Sequence, residues 1–250
     1  MRAWGRLDPG ASTRVVVVSP HLDDAVLSCA HLLASVPDPV VVTVFAGNPP
    51  AYPVPARPWD VQCGFGPDDD VMAARRDEDH AALAVLGATA RHLDFVEYTY
   101  NPGDRPVAPK SIAPVLAAAI AACDPTAVLI PFGLANPDHD ATHRAALLAV
   151  ESIAAGVPRL LYEDSGYKHI PGMLAWRVAR LFRSGLWPTP ACPDVTIDEG
   201  RKQRALACYP SQLLALEDDW QISAKLAAPA PEQYWRLEPP PPGWEGLIDS

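Results

Sequence analysis

The chain has 250 residues, 49% of them hydrophobic, enough for one large α/β domain or one domain with a small annex. Its formal net charge is −10 and its Lys and Arg residues form no block, which argues against a nucleic-acid backbone or an anionic membrane surface as partner, because such binding needs clustered cations. No segment approaches the ~20 apolar residues needed to span a bilayer.

The first residues, Met1 to Asp8, hold no apolar run of signal-peptide length. The cysteines (Cys29, Cys63, Cys123, Cys192, Cys208) are odd in number and lack a CxxC pair, so neither a disulfide framework nor a zinc ribbon is indicated. A reducing cytoplasm is the expected location. Proline is abundant, at 29 residues, about twice the ~5% norm. The prolines cluster in connecting stretches, which favours long rigid loops.

In chain order, Arg14 to Val18 ends in four valines, the pattern of a strand buried on both faces of a parallel sheet. Ser19-Pro20-His21-Leu22-Asp23-Asp24 follows as a tight loop, and Ala25 to Ser35 has helical spacing. Val40 to Phe45 is a second strand. Ala46 to Pro67 shows no period, and so long a structureless loop in a compact domain is usually functional. Asp68-Asp69-Asp70 caps a helix over Val71 to Leu86, with Gly87 as its C′ residue. Arg91 to Val96 is a third strand, and Tyr98 to Val107 is a second loop rich in Pro and Gly. A helix over Ser111 to Ala122 leads to a fourth strand, Thr126 to Phe132. The loop Gly133 to Asp138 opens a helix over His139 to Ala155. Arg159 to Tyr162 is the fifth strand, followed by Glu163-Asp164. Beyond it the pattern is less regular: a helix over Pro171 to Arg183, a short strand at Val195 to Ile197, and a helical stretch from Arg201 to Leu216 that crosses Pro210. The tail after Pro239 has no period.

Strands alternating with single helices predict a Rossmann-like, doubly wound, mostly parallel sheet of order 3-2-1-4-5 with helices on both faces. No internal repeat or domain boundary is visible. The expectation is one domain over residues 1–250, with a core at about 14–165 and residues 166–250 packed on it as an extension. In that order the first and fourth strands are neighbours and their helices leave on opposite faces. The loops at His21 and Asn136, about 115 residues apart, then meet at the switch point.

Two histidines and up to three aspartates converge there: His21, Asp23, Asp24, Asp138 and His139. Mixed imidazole and carboxylate donors suit Zn²⁺, with other first-row divalent ions open. A catalytic zinc acidifies a bound water, and a nearby unligated carboxylate can take a proton and return it to a leaving amine. Adjacent Asp23 and Asp24 can divide that labour. A lone aspartate at a helix start is more often a cap than a ligand, so the weight rests on the two loops together. His143, one helical turn past His139, reads as a packing or supporting residue ahead of a ligand. Ser19 lacks a GxSxG context, and no GxGxxG follows the first strand, so neither a serine nucleophile nor a dinucleotide cofactor is indicated.

With Pro20-His21-Leu22-Asp23-Asp24 and Asn136-Pro137-Asp138-His139 in place after the first and fourth strands, the chain resembles the LmbE/PIG-L family of zinc-dependent N-deacetylases. Further stretches resemble the branch acting on N-acetylglucosaminyl pseudoaglycones of glycopeptide antibiotics. They are Ser19 to Leu27, Thr43 to Gly47, Arg75 to Asp79, Tyr162 to Asp164, and Lys202 to Gln212. The resemblance implies His21, Asp24 and His139 as zinc ligands, Asp23 as general base and then acid, and Asp138 as an orienting residue. It implies Arg75 or Arg76, with Arg75 preferred, as a sugar contact. The implied function is removal of an N-acyl group from an amino sugar or sugar-bearing natural product. The implied partner is that small molecule, and a homo-oligomer is left open.

One position departs from the family pattern: Asn136 stands where the resemblance expects a histidine that polarises the substrate carbonyl, and Leu134 where some relatives have tyrosine. Three readings follow. The enzyme is a deacetylase with a weaker or relocated oxyanion donor. Or it hydrolyses a different amide, such as that of a non-sugar natural product. Or it is a catalytically weakened binding protein. The aromatic residues of the two long loops (Tyr52, Trp59, Phe65, Tyr98, Tyr100) are expected to wall a pocket for a ring-bearing ligand.

Overall fold

The structure, a computed structural model, describes residues 14–152, 157–227 and 232–243. Its centre is β1 (Val15–Ser19), buried along its whole length. The four valines divide between the faces of the sheet. Val15 and Val17 enter one hydrophobic core, Val16 and Val18 the other. Each buried valine contributes on the order of 1.5–3 kcal/mol, so an unbroken valine run pins this strand between two helical layers.

β1 pairs in parallel with β2 (Val40–Thr43) and β4 (Ala127–Pro131). Outside these lie β3 (Thr89–His92) on β2 and β5 (Arg159–Tyr162) on β4, also parallel. A hairpin of β6 (Trp187–Ala191) and β7 (Tyr234–Glu238) extends the same sheet, with β7 antiparallel on β5. The order is β3-β2-β1-β4-β5-β7-β6. The expected 3-2-1-4-5 arrangement is present, with two strands added at one edge.

The core containing Val15 and Val17 lies under α1 (Asp24–Ser35), α3 (Val71–Leu86) and α7 (Glu199–Leu206). The core containing Val16 and Val18 lies under α4 (Pro109–Ala121), α5 (Pro137–Val150) and α6 (Met173–Arg183). Three more, α2 (Pro58–Gln62), α8 (Pro210–Trp220) and α9 (Ile222–Ala227), complete the α-helices among the described residues. Because α1 and α5 leave adjacent strands toward opposite faces, a crevice opens at the C-terminal ends of β1 and β4. No helix among the described residues is long and apolar enough to cross a membrane.

Several elements differ from the sequence reading. The third strand starts at Thr89, because Gly87 closes α3 in the left-handed conformation (φ 73°) and leaves only Ala88 before the β2–β3 ladder begins. The long loop after β2 contains α2, which starts on Pro58. The strand placed at Val195 to Ile197 is absent, and the edge strand is instead Trp187–Ala191. Its prolines 188 and 190 signal a loop, yet an edge strand tolerates residues without an N–H. The helix expected to cross Pro210 is two helices, the second starting on that proline. α5 ends at Val150, and Ile153 to Ala155, assigned to it from the sequence, lie outside the described residues.

α1 is bent at Cys29 (φ −137°, ψ 17°). The His31 N–H leaves the helical ladder there and donates to the Glu232 carboxylate at 3.1 Å. Glu232 also accepts from Lys202 Nζ at 2.8 Å and from the Tyr234 hydroxyl at 2.7 Å. One buried carboxylate thus ties the C-terminal hairpin and α7 to the helix that follows the first loop.

Candidate metal centre and catalytic pocket

At the end of β1 the Ser19 hydroxyl donates to the His21 carbonyl (2.7 Å) and accepts from Ala25 N–H (3.1 Å). The Asp24 carboxylate accepts from His21 N–H at 3.0 Å. The Ser19 hydroxyl thus caps the start of α1 while Asp24 ties the loop, and Asp23, at the N-cap position, makes no side-chain cap bond. Its carboxyl is released from the usual structural duty of an aspartate at a helix start and lines the pocket.

At the end of β4 the chain turns through Gly133 at φ 73°. A Cβ there would lie 2.5 Å from His143 Cβ and 2.7 Å from the His139 carbonyl, so only glycine fits. Asn136 caps α5, its side-chain oxygen accepting from Asp138 N–H at 2.8 Å. Arg177 of α6, almost fully buried, donates to the Gly133 carbonyl and to Asp140. It anchors the second loop from the far side.

The two loops meet as expected. His21, Asp24 and His139 place one ligand atom each within 4.8 Å of one another. Asp24 Oδ2 lies 3.3 Å from His21 Nδ1 and 3.2 Å from His139 Nε2. The remote ring nitrogens are held by other carboxylates: His21 Nε2 by Asp138 at 3.2 Å and His139 Nδ1 by Asp164 at 2.6 Å. With each ring N–H given to the carboxylate on its own side, the nitrogen nearest Asp24 would be left to bind a cation. This is the arrangement by which carboxylate–histidine pairs orient metal ligands. Burial opposes charging both rings. Yet Glu97, Asp138 and Asp24 raise His21, and Asp24 and Asp164 push His139 up to about 9. Burial would raise Asp24, but the two imidazoles hold it well below the usual carboxylate range. A donor set that so strongly favours added positive charge fits a divalent cation. Burial first, and the adjacent Asp24 second, push Asp23 up to about 7, a value suited to a general base at neutral pH.

Asp138 is fully buried and also accepts from Tyr98 N–H at 3.0 Å, so it orients His21 and fixes the second long loop. The two arginines separate. Arg75 lines the pocket but is buried and paired with Glu97 at 2.5 Å. Arg76 lies outside this pocket and donates to the Ala46 carbonyl and to Asn48. Adjacent residues on a helix point about 100° apart, so only one of the pair can face the site. Of the loop aromatics, Trp59 and Tyr98 line the pocket. Tyr52 and Tyr100 instead pack edge to face at 5.8 Å beside Leu22 and Met72, and Phe65 does not line the pocket. His143 stands outside the cluster of His21, Asp24 and His139, with its Nδ1 2.8 Å from the Pro131 carbonyl. Burial and the Arg177 charge push it down to about 4.

Sequence reasoning gave no role to Asp164 or Tyr167. Asp164 follows β5, holds His139 through one oxygen and accepts from Gly133 N–H through the other at 3.0 Å. Its signals were a polar pair after a buried strand and its place in the resembling stretch Tyr162 to Asp164, neither of which named a role. Tyr167 stands edge-on to the His139 ring, with centroids 4.9 Å apart. Gln212, on α8, lines the pocket and accepts from the Trp59 indole N–H.

Residues 16–150 match the family model described as PIG-L: GlcNAc-PI de-N-acetylase. Among solved structures, the A40926 pseudoaglycone deacetylase Dbv21 is 34% identical at TM-score 0.69, covering 91% of this chain and 96% of its own. The zinc-inhibited form of teicoplanin deacetylase Orf2 is 29% identical at TM-score 0.70, covering 92% and 100%. The 4-carboxy-2-hydroxymuconate hydratase GalB from Pseudomonas putida KT2440, at 19% identity and TM-score 0.55 over 92% and 97%, shares the fold alone. No curated protein matches.

Proposed function

The chain belongs to the PIG-L family of GlcNAc-PI de-N-acetylases, and from that premise we propose that His21, Asp24 and His139 hold a Zn²⁺ ion beside Asp23, which drives release of an acetyl group from an amino sugar carried by a natural product. The chain is a hydrolase of the deacetylase type, like Dbv21 and Orf2. The observation that carries the site assignment is the pair of carboxylate-anchored histidines on two loops converging on Asp24 with an uncommitted Asp23 next to it. Relatives named for the A40926 pseudoaglycone and for teicoplanin support a glycosylated natural product as substrate. We take the chain as one domain, a reading supported by β6 and β7 joining the same sheet, and as acting in a reducing cytoplasm, a reading supported by its free cysteines.

A divalent cation at the three ligands would supply Lewis acidity and a water of lowered pKa. Asp23, raised toward neutrality, takes one proton from the attacking water as its oxygen bonds to the acetyl carbon. When the C–N bond breaks, Asp23 returns that proton to the amine nitrogen, leaving a free amino sugar and acetic acid, which ionises to acetate in solvent. Asp138 and Asp164 keep the two imidazoles in the required tautomers throughout. Trp59 and Tyr98 wall the pocket, which suits a sugar ring. Decayed catalysis is not favoured, since the family and the similar solved structures are deacetylases, and the convergence of His21, Asp24 and His139 beside Asp23 supports the same reading.

The test is acetate release by the zinc-loaded protein from N-acetylglucosaminyl aglycones and from simple aryl N-acetylglucosaminides, with and without a chelator. Turnover that a chelator abolishes and zinc restores is expected. Protein that binds no divalent metal, or releases no acetate from any of these substrates, refutes the reading.

A further inference from the structure

Arg76 takes no part in the catalytic pocket, and it lines a second cleft with Ala46, Asn48, His92 and Asp94. The two cavities share no lining residue. The second cleft lies where the parallel strands β2 and β3 end, at Thr43 and His92. The C-terminal edge of a parallel sheet is where folds of this kind take their ligands.

Its walls are fixed from within the fold. Half-buried Arg76 donates through Nη1 to the Ala46 carbonyl at 2.8 Å and to the Asn48 side-chain oxygen at 2.7 Å. Its Nη2 and Nε make no hydrogen bond among the described residues. With the Asn48 oxygen taken, the NH₂ is the end of that amide left to donate. His92 Nε2 lies 2.7 Å from Asp79, which also accepts from the Tyr209 hydroxyl at 2.6 Å. Gly47 lets the two loops touch: a Cβ there would lie 2.5 Å from the Asp94 carbonyl carbon and oxygen, and its N–H donates to the Phe95 carbonyl at 3.0 Å. Asp94 is thereby held against the segment that carries Asn48.

Arg76 and Asp94 bring opposite charges to one cleft, yet neither forms an ion pair, with the other or with any described residue. A plain anion would be drawn to Arg76 and repelled by Asp94, and a plain cation the reverse. Charges that share a cleft without neutralising each other complement a ligand that carries both. We propose that this cleft binds a small zwitterion of the α-amino-acid kind, its carboxylate on Arg76 and the Asn48 NH₂ and its ammonium on Asp94. Of the lining residues only Ala46 is apolar, so the site reads the charged head group and offers nothing to select a side chain. The inference depends neither on the metal nor on the deacetylase reading.

The experiment is titration calorimetry of the zinc-loaded protein with glycine, acetate and methylammonium, on wild type, Arg76→Gln and Asp94→Asn, together with a solved glycine complex. Glycine should bind wild type roughly tenfold or more tightly than acetate or methylammonium, each of which makes only one of the two charged contacts. Each substitution should weaken glycine by roughly tenfold or more, and the bound molecule should lie between Arg76 and Asp94. Asp94 is exposed, so Asp94→Asn carries the test if Arg76→Gln fails to fold. The inference is overturned by no saturable glycine binding up to about 10 mM, by acetate held as tightly as glycine, by undiminished glycine binding in Asp94→Asn, or by glycine found only at His21, Asp24 and His139.

Discussion

Residues 15–150 and residues 159–243 build the same pocket in different ways. The first region supplies the three proposed ligands and the proposed base from two loops, each within a few residues of its strand. The second supplies Asp164, Arg177 and Glu232, none of them in the ligand set, which hold the loops and α1 through contacts spanning 25 to about 200 residues. The comparison teaches that the donor atoms are local in sequence while their orientation is not. A ligand must follow its strand closely to reach the crevice, but a supporting carboxylate can come from any element that passes behind it.

The largest expected effect falls in the first region. Asp23→Asn removes the proton acceptor and should lower kcat about 10²–10⁴-fold, with zinc content retained, as measured by acetate release and metal analysis. A loss below tenfold would move the base elsewhere. In the second region, Asp164→Asn keeps the shape of the contact but weakens the hold on His139. Metal affinity should fall about 10–100-fold in a competition titration. Unchanged affinity would make the second region a mere cover on the sheet.

His143 sits behind the second loop and tests the comparison through pH. Its pKa is depressed from 6.5 to about 4 in the fold, so the unfolded chain binds the proton first as pH falls. Stability is therefore lost as pH falls from about 6.5 toward 4. This one group contributes a loss of about 1.5 kcal/mol between pH 6.5 and 5. The difference in denaturant stability between wild type and His143→Gln should narrow by that amount over the same range, and a pH-independent difference would contradict the shift. The smallest effect is expected at Glu232. Glu232→Gln keeps an acceptor for His31 N–H but weakens the contacts to Lys202 and Tyr234. It should cost about 1 kcal/mol in urea unfolding with kcat within twofold of wild type. A large loss of kcat would show that the bend in α1 is transmitted to Asp23 and Asp24.

Much of the first region was legible in the chain. The valine run, the loop at Ser19 to Asp24 and the Gly87 stop each follow from short-range rules, and strand alternation alone brought His21 and His139 together. The departures arose where prolines spoke against a strand at an edge, and where a polar pair after β5 gave no hint of its target. The choice between Arg75 and Arg76 rested on spacing, and it was decided by which helix face meets the pocket.

The sequence by itself determined the donor chemistry of this protein, because it puts imidazoles and carboxylates directly after two buried parallel strands that are neighbours in the sheet, and it determined the sheet that gathers them. Only the tertiary structure decided which atoms converge at Asp24, that Ser19 and not Asp23 caps α1, and that Asn136 works as a cap pointing at Tyr167. Those outcomes depend on hydrogen bonds between elements far apart in the chain, and the direction of such bonds is fixed by packing, which no local pattern encodes.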